Sequence, residues 1–437
     1  MPRAAFTTLG CKVNQYETQR IEESFRLAGF KIVSWNEEAD LYVLNSCSVT
    51  SSAESKSRYA VRKASRTNPI AKVVVTGCAA QMSINKGEEI DGADLIVPNP
   101  EKLRTIEYVR QCFPEFAAVR PLGSGLEPVV ARTRATVKIQ DGCSVMCSYC
   151  SIPYTRPGMA SRPANEVVEE IERLTQHGFK EVVVTGVLIG AYGAESGSGG
   201  PDFETLLEQI SEIPALKRIR ISSIEMRQVT QRLLRLMAEP GAKIVPHLHI
   251  PLQAGDTKVL SDMNRPYTKE QYIELCQQVY AEVPDVAITT DIMVGFPTET
   301  EELFNSTIEV CQRVGYFKIH AFRFSPRYGT PADRFGDPIP DAEKQKRSAC
   351  LQAIERETSL AFAMRYLGRE MEVLVENKRT REGLWRGLTR NYLTVEFEAE
   401  GELGGSLVPV RINSVAPGRI LGTPALPAGK RALPMVA

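Results

Sequence analysis

Three cysteines lie close together in the middle of this 437-residue sequence, at Cys143, Cys147 and Cys150. Their C-x3-C-x2-C spacing places three thiols on one short loop, which is typical of cysteines that bind an iron–sulfur cluster. Three thiolates would bind three irons of a four-iron cluster and leave the fourth iron open to a small chelating molecule. The alternative is a structural zinc site, which normally requires a fourth protein ligand. The nearest histidine after the loop is His177, so the spacing favours the cluster.

A second set of cysteines, Cys11, Cys47 and Cys78, is spread along the amino-terminal part but shares one setting. Each directly follows a predicted strand, after the letters FTTLG, YVLNS and VVVTG. The carboxyl ends of parallel strands meet at one edge of a sheet, where helix N-termini favour thiolate, so a second iron–sulfur site is predicted there. Buried structural cysteines are the alternative. Core packing is expected of the remaining cysteines, which lie on helical patterns: Cys112, Cys276, Cys311 and Cys350.

Residues 1–115 are predicted to form an α/β domain, because strand and helix patterns alternate along them. Such alternation implies a parallel sheet with helices on its faces. The run from 113 to 132 is rich in proline and glycine and lacks periodicity, which indicates a linker. The predicted strands are residues 5–9, 41–45, 73–76 and 95–97.

Residues 129–365 repeat this alternation, with six strand candidates separated by stretches of helix length. Six strand–helix units fit a partial (β/α)6 barrel, although the pattern alone does not separate it from a doubly wound sheet. The candidates are residues 136–140, 182–185, 218–222, 248–252, 288–294 and 319–324.

Residues 366–430 change character and are predicted to form a small all-β barrel. Short apolar runs alternate there with turns that carry glycine, asparagine and charged residues. The final stretch, from 422 to 437, is expected to be a loose tail. The predicted strands are residues 372–376, 384–388, 392–397 and 407–412.

The composition limits the classes of function. Lysine plus arginine and aspartate plus glutamate both number 53, so net charge indicates no particular partner, and any nucleic-acid contact must be a local patch. No segment approaches the roughly 18 consecutive apolar residues of a membrane span, and no apolar signal core follows Met1. A cytoplasmic protein without a membrane partner is therefore predicted. In that reducing compartment the ten cysteines are not expected to form disulfides.

The central cysteine loop, with Tyr149 just before Cys150, resembles the signature of the radical S-adenosylmethionine (SAM) family. The resemblance implies a catalytic [4Fe-4S] cluster on Cys143, Cys147 and Cys150, whose open iron chelates SAM. Reductive cleavage of SAM would then give a 5′-deoxyadenosyl radical. For Glu225 and Gly295, which the resemblance assigns to SAM, the alternatives are a surface carboxylate and an ordinary βα loop. The full set of implied cofactor contacts is Thr185, Gly186, Glu225, Gln253 and Gly295.

Along nearly its whole length the chain is similar to the radical SAM methylthiotransferases. In that family the terminal barrel is a TRAM domain, which binds RNA, and the resemblance implies a second [4Fe-4S] cluster on Cys11, Cys47 and Cys78. Within the family the sequence is most like the enzymes that act on N6-threonylcarbamoyladenosine in tRNA. The branches that act on isopentenyladenosine or on a ribosomal protein have other residues after the first cysteine. The motifs are LGCKVNQYE (9–17), NSCSVT (45–50), TGC (76–78), KIQDGC (138–143) and HLHIPLQ (247–253).

The resemblance implies methylthiolation at C2 of the adenine beside the anticodon. One SAM would methylate the donated sulfur and a second would yield the radical that removes hydrogen from C2. The implied partners are the anticodon stem-loop of tRNA and a small electron donor such as flavodoxin or ferredoxin. RNA binding requires cations with stacking groups, which the terminal barrel offers. Its candidates are Lys378, Arg379, Arg381, Trp385, Arg386, Arg390 and Tyr392.

A second basic group, Arg58, Arg62 and Arg66, shares one face of a predicted helix, and a solvated charged face is the alternative for both groups. One stretch departs from the family pattern. Pro157, Gly158 and Met159 stand where a basic residue is usual, and the nearby cations are then Arg156 and Arg162.

Three other functions remain open at this point. The first is methylthiolation of isopentenyladenosine tRNA or of a ribosomal protein side chain. The second is a radical methyltransferase with one cluster, in which the amino-terminal cysteines are inert. The third is a non-catalytic RNA-binding protein with structural zinc.

Overall fold

The computed structural model describes residues 1–48, 51–117, 133–196 and 200–425. The amino-terminal strands are β1 (Arg3–Thr8), β2 (Lys31–Val33), β3 (Leu41–Ser46), β4 (Lys72–Gly77) and β5 (Leu95–Ile96). They form a parallel sheet in the order β2-β1-β3-β4-β5, with an apolar cluster on each face. Every residue of β3 is buried, because this strand has neighbours on both edges and helices on both faces. The helices are α1 (Lys12–Leu27), α2 (Ser51–Thr67), α3 (Cys78–Lys86), α4 (Thr105–Cys112) and α5 (Pro114–Ala117).

The central part is an open barrel of six parallel strands. The strands are β6 (Ala135–Lys138), β7 (Gln140–Asp141), β8 (Ala160–Ser161), β9 (Glu181–Thr185), β10 (Arg218–Ile221), β11 (His247–His249), β12 (Ala287–Val294) and β13 (Lys318–Arg323). β6, β9 and β10 form one sheet, and β11, β12 and β13 form another. Isolated parallel bridges from Ile219 to Ile244 and from Ser223 to His249 join the two sheets. The short strands β7 and β8 pair with each other in antiparallel fashion. The helices are α6 (Ile152–Thr155), α7 (Ala164–Gln176), α8 (Phe203–Ser211), α9 (Gln231–Ala238), α10 (Thr257–Asp262), α11 (Lys269–Glu282), α12 (Glu301–Val314) and α13 (Asp341–Met364).

The barrel strands separate an apolar outer face from a polar inner face. On β10, Ile219 and Ile221 join the main core under the helices. Arg218 and Arg220 take the opposite face, as alternation along a strand requires, and bond to the carboxyl-terminal residues. The inner face of this barrel is therefore unusual, because the interior of a closed (β/α)8 barrel is filled mainly by branched apolar side chains.

The carboxyl-terminal strands form a small closed barrel. They are β14 (Glu370–Val375), β15 (Trp385–Thr389), β16 (Thr394–Phe397), β17 (Leu407–Ala416) and β18 (Arg419–Pro424), in the order β14-β15-β16-β18-β17. Together with the sheet and the open barrel, this confirms the predicted α/β class with a terminal all-β barrel. Arg218 anchors the terminal barrel, since its Nη2 donates to Glu372 O at 2.7 Å and its Nη1 to Leu388 O at 3.0 Å.

Three local predictions were wrong. Residues 422–424, expected in a loose tail, belong to β18, because β17 and β16 supply its pairing partners. Residues 114–117, expected in a linker, form α5, and Cys112, expected in the core, is exposed. Residues 118–132 and 426–437 lie outside the described residues. Within the described residues, no helix combines the length and the apolarity that crossing a membrane requires.

Candidate active site

The structure brings the loops of the three amino-terminal cysteines to one edge of the first sheet. Cys11 caps α1 after β1, Cys47 follows β3, and Cys78 is the first residue of α3 after β4. These three strands are neighbours in the sheet. Gly10 has a φ of +104°, and a Cβ there would lie 2.7 Å from Cys47 Sγ. Only glycine therefore lets the Cys11 loop approach Cys47 this closely.

Side-chain hydrogen bonds fix the three loops to one another. Asn14 Nδ2 donates to Leu9 O at 2.9 Å and to Ser46 O at 3.0 Å, which ties the first loop to the second. Ser46 Oγ donates to Thr76 O and accepts from Ala80 N at 3.1 Å, which ties the second loop to the third. The sheet edge is thereby held as one rigid unit.

The second cysteine set lies on the loop that follows β7. Cys143 Sγ accepts from Val145 N at 3.3 Å, and Cys147 Sγ accepts from Arg265 Nη1 at 3.2 Å. Burial raises the pKa of the Cys150 thiol to about 12. A metal at this loop would therefore have to displace thiol protons, as metal binding to cysteine generally does.

Arg265 connects this loop to Glu225, which sequence reasoning assigned to SAM. Arg265 Nη1 lies 3.2 Å from Glu225 Oε1, and Nη2 pairs with Oε2 of the same carboxylate. Arg265 carried no sequence signal, because it lies outside every motif recognised above. Its guanidinium places a positive charge beside Cys147, which suits a thiolate ligand of an anionic cluster.

The other predicted SAM contacts also follow barrel strands. Thr185 ends β9, and the turn at Gly186 is held by Gln140, whose Oε1 accepts from the N–H groups of residues 187 and 188 at 3.1 and 2.8 Å. Gln253 has a φ of +67°, and its backbone N–H donates to Asp291 O at 2.9 Å. Gly295 has a φ of +75° and its N–H donates to a glutamate Oε2 at 2.6 Å. Each of these residues thus lies at or beyond the carboxyl end of a barrel strand, where ligands of α/β sheets gather.

A buried ion network lies between the two cysteine sites. Glu17 of α1, 1% exposed, accepts from Lys102 Nζ, from Lys138 Nζ at 2.7 Å and from both terminal nitrogens of Arg156 at 2.9 and 2.8 Å. Asp141 accepts from Arg156 Nη1 at 2.7 Å and from Lys138 Nζ at 2.8 Å. Three cations thus face two carboxylates. A net positive charge in the network between the two cysteine sites would suit ligation of an anionic cluster.

The two carboxylates of this network, Glu17 and Asp141, predict an acid-sensitive interface. Burial alone would raise the pKa of Glu17, but Lys102 and Arg156 hold it below the usual value, and Arg156 and Lys138 do the same for Asp141. Because the pKa values of both groups are depressed in the folded chain, their stabilisation is present above about pH 4.5 and is lost as pH falls further.

We expect the cluster-free chain to lose hydrogen-exchange protection in α1 and α6 between about pH 4.5 and pH 3, with no change between pH 6 and 8. Glu17→Gln should abolish most of that acid transition. Identical acid profiles for the two chains would contradict the assigned role of Glu17.

No group of three or more His, Cys, Asp or Glu side chains in the described ranges converges on a point that one metal ion could occupy. An iron–sulfur cluster binds each thiolate through a different iron. The thiols that hold a cluster therefore lie farther apart than the ligands of a single metal ion. Asn99 supports such a ligand at Cys78, because its Nδ2 lies 3.9 Å from Cys78 Sγ while it also donates to Thr155 O at 2.7 Å.

The chain is similar to known proteins. The "Radical SAM superfamily" model matches residues 137–311, and the "Uncharacterized protein family UPF0004" model matches residues 3–98. The chain is 36% identical to the threonylcarbamoyladenosine tRNA methylthiotransferase MtaB of Bacillus subtilis over 94% of both chains. It belongs to the radical SAM methylthiotransferases. It is also 32% identical to the tRNA-2-methylthio-N(6)-dimethylallyladenosine synthase of Acetivibrio thermocellus, over 93% of this chain and 88% of that one.

The fold of this methylthiotransferase resembles that of a radical SAM methyltransferase, TsrM from Kitasatospora setae. The TM-score is 0.54 at 15% identity, over 76% of this chain and 77% of that one. Membership of the radical SAM superfamily implies a [4Fe-4S] cluster and SAM as cofactors.

The terminal barrel of the methylthiotransferase exposes some of the predicted RNA-binding residues and buries others. Lys378, Arg379, Arg381 and Arg386 are exposed. Trp385 is 2% exposed and belongs to the barrel core, so its predicted stacking on a base is wrong. The remaining two face the open barrel: Arg390 Nη2 donates to a backbone carbonyl there, and Tyr392 stacks on a histidine of β11.

The departure from the family pattern has a structural role in the methylthiotransferase. A Cβ at Gly142 would lie 1.5 Å from Gly158 O, so the two backbones are in direct contact. Arg156 belongs to the buried network, and Arg162 Nη1 lies 2.7 Å from Glu170 Oε2. Both arginines are thus engaged within the chain.

Proposed function

We propose that the protein inserts a methylthio group at C2 of N6-threonylcarbamoyladenosine in tRNA, at adenosine 37 beside the anticodon. The observation that carries the proposal is the placement of two cysteine sets at the carboxyl edges of two parallel sheets, joined by the Glu17 network. One site can form the radical and the other can supply sulfur. The choice of nucleoside is supported by identities of 32–36% to five MtaB enzymes, against 32% to the dimethylallyladenosine enzymes.

The two sites would hold two [4Fe-4S] clusters. We assign Cys143, Cys147 and Cys150 to the radical-forming cluster and Cys11, Cys47 and Cys78 to the second. When bound, these groups and SAM would supply the radical that breaks the unactivated C2–H bond and the sulfur that replaces hydrogen. Glu225 is paired with Arg265, so its predicted contact to the ribose of SAM would require sharing this carboxylate. The others, Thr185, Gly186, Gln253 and Gly295, would orient SAM at the strand ends.

Two partners follow from the proposal. The anticodon stem-loop of tRNA would lie against the exposed cations of the terminal barrel. A small electron donor such as flavodoxin or ferredoxin would supply the electron for SAM cleavage.

The proposal is tested by nucleoside analysis of tRNA from a strain that lacks the protein. We expect loss of 2-methylthio-N6-threonylcarbamoyladenosine and accumulation of its precursor, with both reversed by the wild-type gene. Loss of the 2-methylthio-dimethylallyl nucleoside instead would show that the protein acts on dimethylallyladenosine in tRNA. Unchanged tRNA nucleosides would contradict the proposal.

The tRNA contact predicts the effect of Arg386→Glu. Arg386 is exposed and pairs with Glu376 at 2.9 Å, and an exposed pair contributes about 0–1 kcal/mol, so the fold should persist. We expect weaker tRNA binding and a salt dependence reduced by about one phosphate contact, with normal iron content. Arg313→Glu is the matched control, since Arg313 is exposed on α12 and pairs with Glu309 at 3.7 Å. Equal affinity of both variants for tRNA across a salt series would show that Arg386 does not contact the RNA.

A further inference from the structure

The last strand of the open barrel, β13, exposes the side chains of its inner face. It pairs with β12 on one edge, and among the described strands none pairs with its other edge. Side chains alternate between the two faces of a strand. On the outer face Ile319 is 4% exposed and joins the main core. On the inner face Lys318, His320 and Phe322 are all exposed, and the Phe322 ring retains 39% exposure.

These three residues form a row between the terminal barrel and the turn at Gly295. Directly before β13, Phe317 lies against the core of the terminal barrel and packs on Phe362, with ring centroids 5.2 Å apart. At the other end of the strand Phe322 is the cross-strand partner of Met293, two residues before Gly295. The row therefore connects the domain predicted to bind RNA with a turn predicted to hold SAM.

The composition of the row favours single-stranded RNA as its ligand. Among the described residues Lys318 has no salt-bridge partner, and the ring of His320 lies 5.7 Å from that of His249. A surface for a protein partner is usually a contiguous apolar patch, whereas this row carries one aromatic ring beside an imidazole and a cation. Unpaired RNA bases stack on aromatic and histidine side chains, and their phosphates pair with lysine. RNA therefore complements both the rings and the charge.

We propose that Lys318, His320 and Phe322, here called the β13 row, bind the unpaired loop nucleotides that flank the target adenosine. This inference rests on the proposed function and names a surface for its RNA. Phe322 stacks on the base of a nucleotide beside the target, and Lys318 pairs with a phosphate on the side of the terminal barrel. Exposed aromatic side chains on a β-sheet hold single-stranded RNA in the same way in small RNA-binding domains.

The β13 row anchors the loop and does not select its sequence. Stacking on a ring is tolerant of base identity, because every base has a π-face. The nucleotide on Phe322 is therefore held without being modified, and the adenosine next to it is free to enter the lumen of the open barrel.

The test uses an anticodon stem-loop RNA with 5-iodouridine placed in turn at the two loop positions beside the target adenosine. This photoreactive base crosslinks to an aromatic ring that is stacked on it. With the reconstituted wild type we expect a crosslink to Phe322 from one of the two positions. Phe322→Ala should abolish it and weaken RNA binding about 5- to 100-fold, the effect of losing one base–aromatic stack. Phe322→Trp, which keeps a ring, should restore most of the affinity.

Lys318→Glu is the second variant. It should weaken RNA binding and reduce the salt dependence by about one phosphate contact. Ile70→Ala is the matched control, since Ile70 is an apolar side chain 88% exposed between α2 and β4. The control should bind the RNA like the wild type.

The outcomes separate this surface from the proposed function. A reconstituted wild type that does not bind the anticodon stem-loop would contradict the proposed function. A wild type that binds it, with crosslinks that map away from β13 and with equal affinity in Phe322→Ala and Lys318→Glu, would overturn the β13 row alone. The site of the wild-type crosslink decides the matter if a variant loses iron.

Discussion

Replacing Cys11, Cys47 and Cys78 together by alanine is expected to lower bound iron and acid-labile sulfide from about eight to about four atoms per chain, as loss of one of two four-iron clusters requires. The Cys143 loop is untouched by this change, so the anaerobically purified variant should still cleave SAM. It should not transfer a methylthio group, because its source of sulfur is gone. Iron, sulfide and zinc analysis, a SAM-cleavage assay and nucleoside analysis of the tRNA product measure these three expectations.

Cys112→Ala is the control for this experiment. Cys112 is exposed at the end of α4, and its removal should leave about eight irons in place. Four irons in both the wild type and the triple variant would indicate a radical methyltransferase with one cluster. Zinc without iron, in chain made under iron-replete conditions, would indicate a non-catalytic RNA-binding protein.

Glu17→Gln is expected to destabilise the chain by about 3–5 kcal/mol, the cost of removing one partner from a buried ion pair. The substitution keeps the shape of the side chain but leaves Lys102, Lys138 and Arg156 facing only Asp141. Because Glu17 joins α1 to the residues that flank Cys150, the contact between the two cysteine sites should loosen. Thermal unfolding and hydrogen exchange of the cluster-free chain measure this effect.

Glu23→Gln provides the comparison, since it lies on the same helix and pairs with Arg20 at 3.0 Å while 44% exposed. An exposed pair of this kind contributes about 0–1 kcal/mol, so little change is expected. Equal stability of the two variants would show that the Glu17 network is not needed to hold the sheet against the barrel.

The sequence predicted four of the five strands of the first sheet and all six parallel strands of the open barrel, because most of them are apolar runs bounded by turn residues. It missed β2, a three-residue strand at the edge of the first sheet. It did not predict β18, whose letters RILGTP contain glycine and proline at the ends of a short run. That strand exists because β17 pairs with it over Val410 to Ala416, a partner that only the folded barrel supplies. Trp385 was misplaced for a related reason: an aromatic residue among arginines resembles a stacking surface, yet alternation turns it into the core.

The cysteine sets were predictable because strand ends determine where loops converge. The Glu17 network was not, since Lys138 and Arg156 lie 121 and 139 residues away along the chain. Glu17 and Lys138 stood inside recognised motifs, but a motif does not state which charges meet. Arg265 was missed as a site residue because a lone cation on a loop pattern is ordinarily solvated.

If the terminal barrel binds tRNA as proposed, its junction with the open barrel limits how a nucleotide is chosen. Arg218 and Arg390 bond across it, and Tyr392 stacks against His247 within it, so the terminal barrel is fixed in place rather than carried on a tether. The distance from its exposed cations to the strand ends of the open barrel is then constant. If these cations hold the stem of the tRNA as proposed, one loop position would reach the reacting centre, and shortening that stem-to-loop span by one nucleotide would place a different base there.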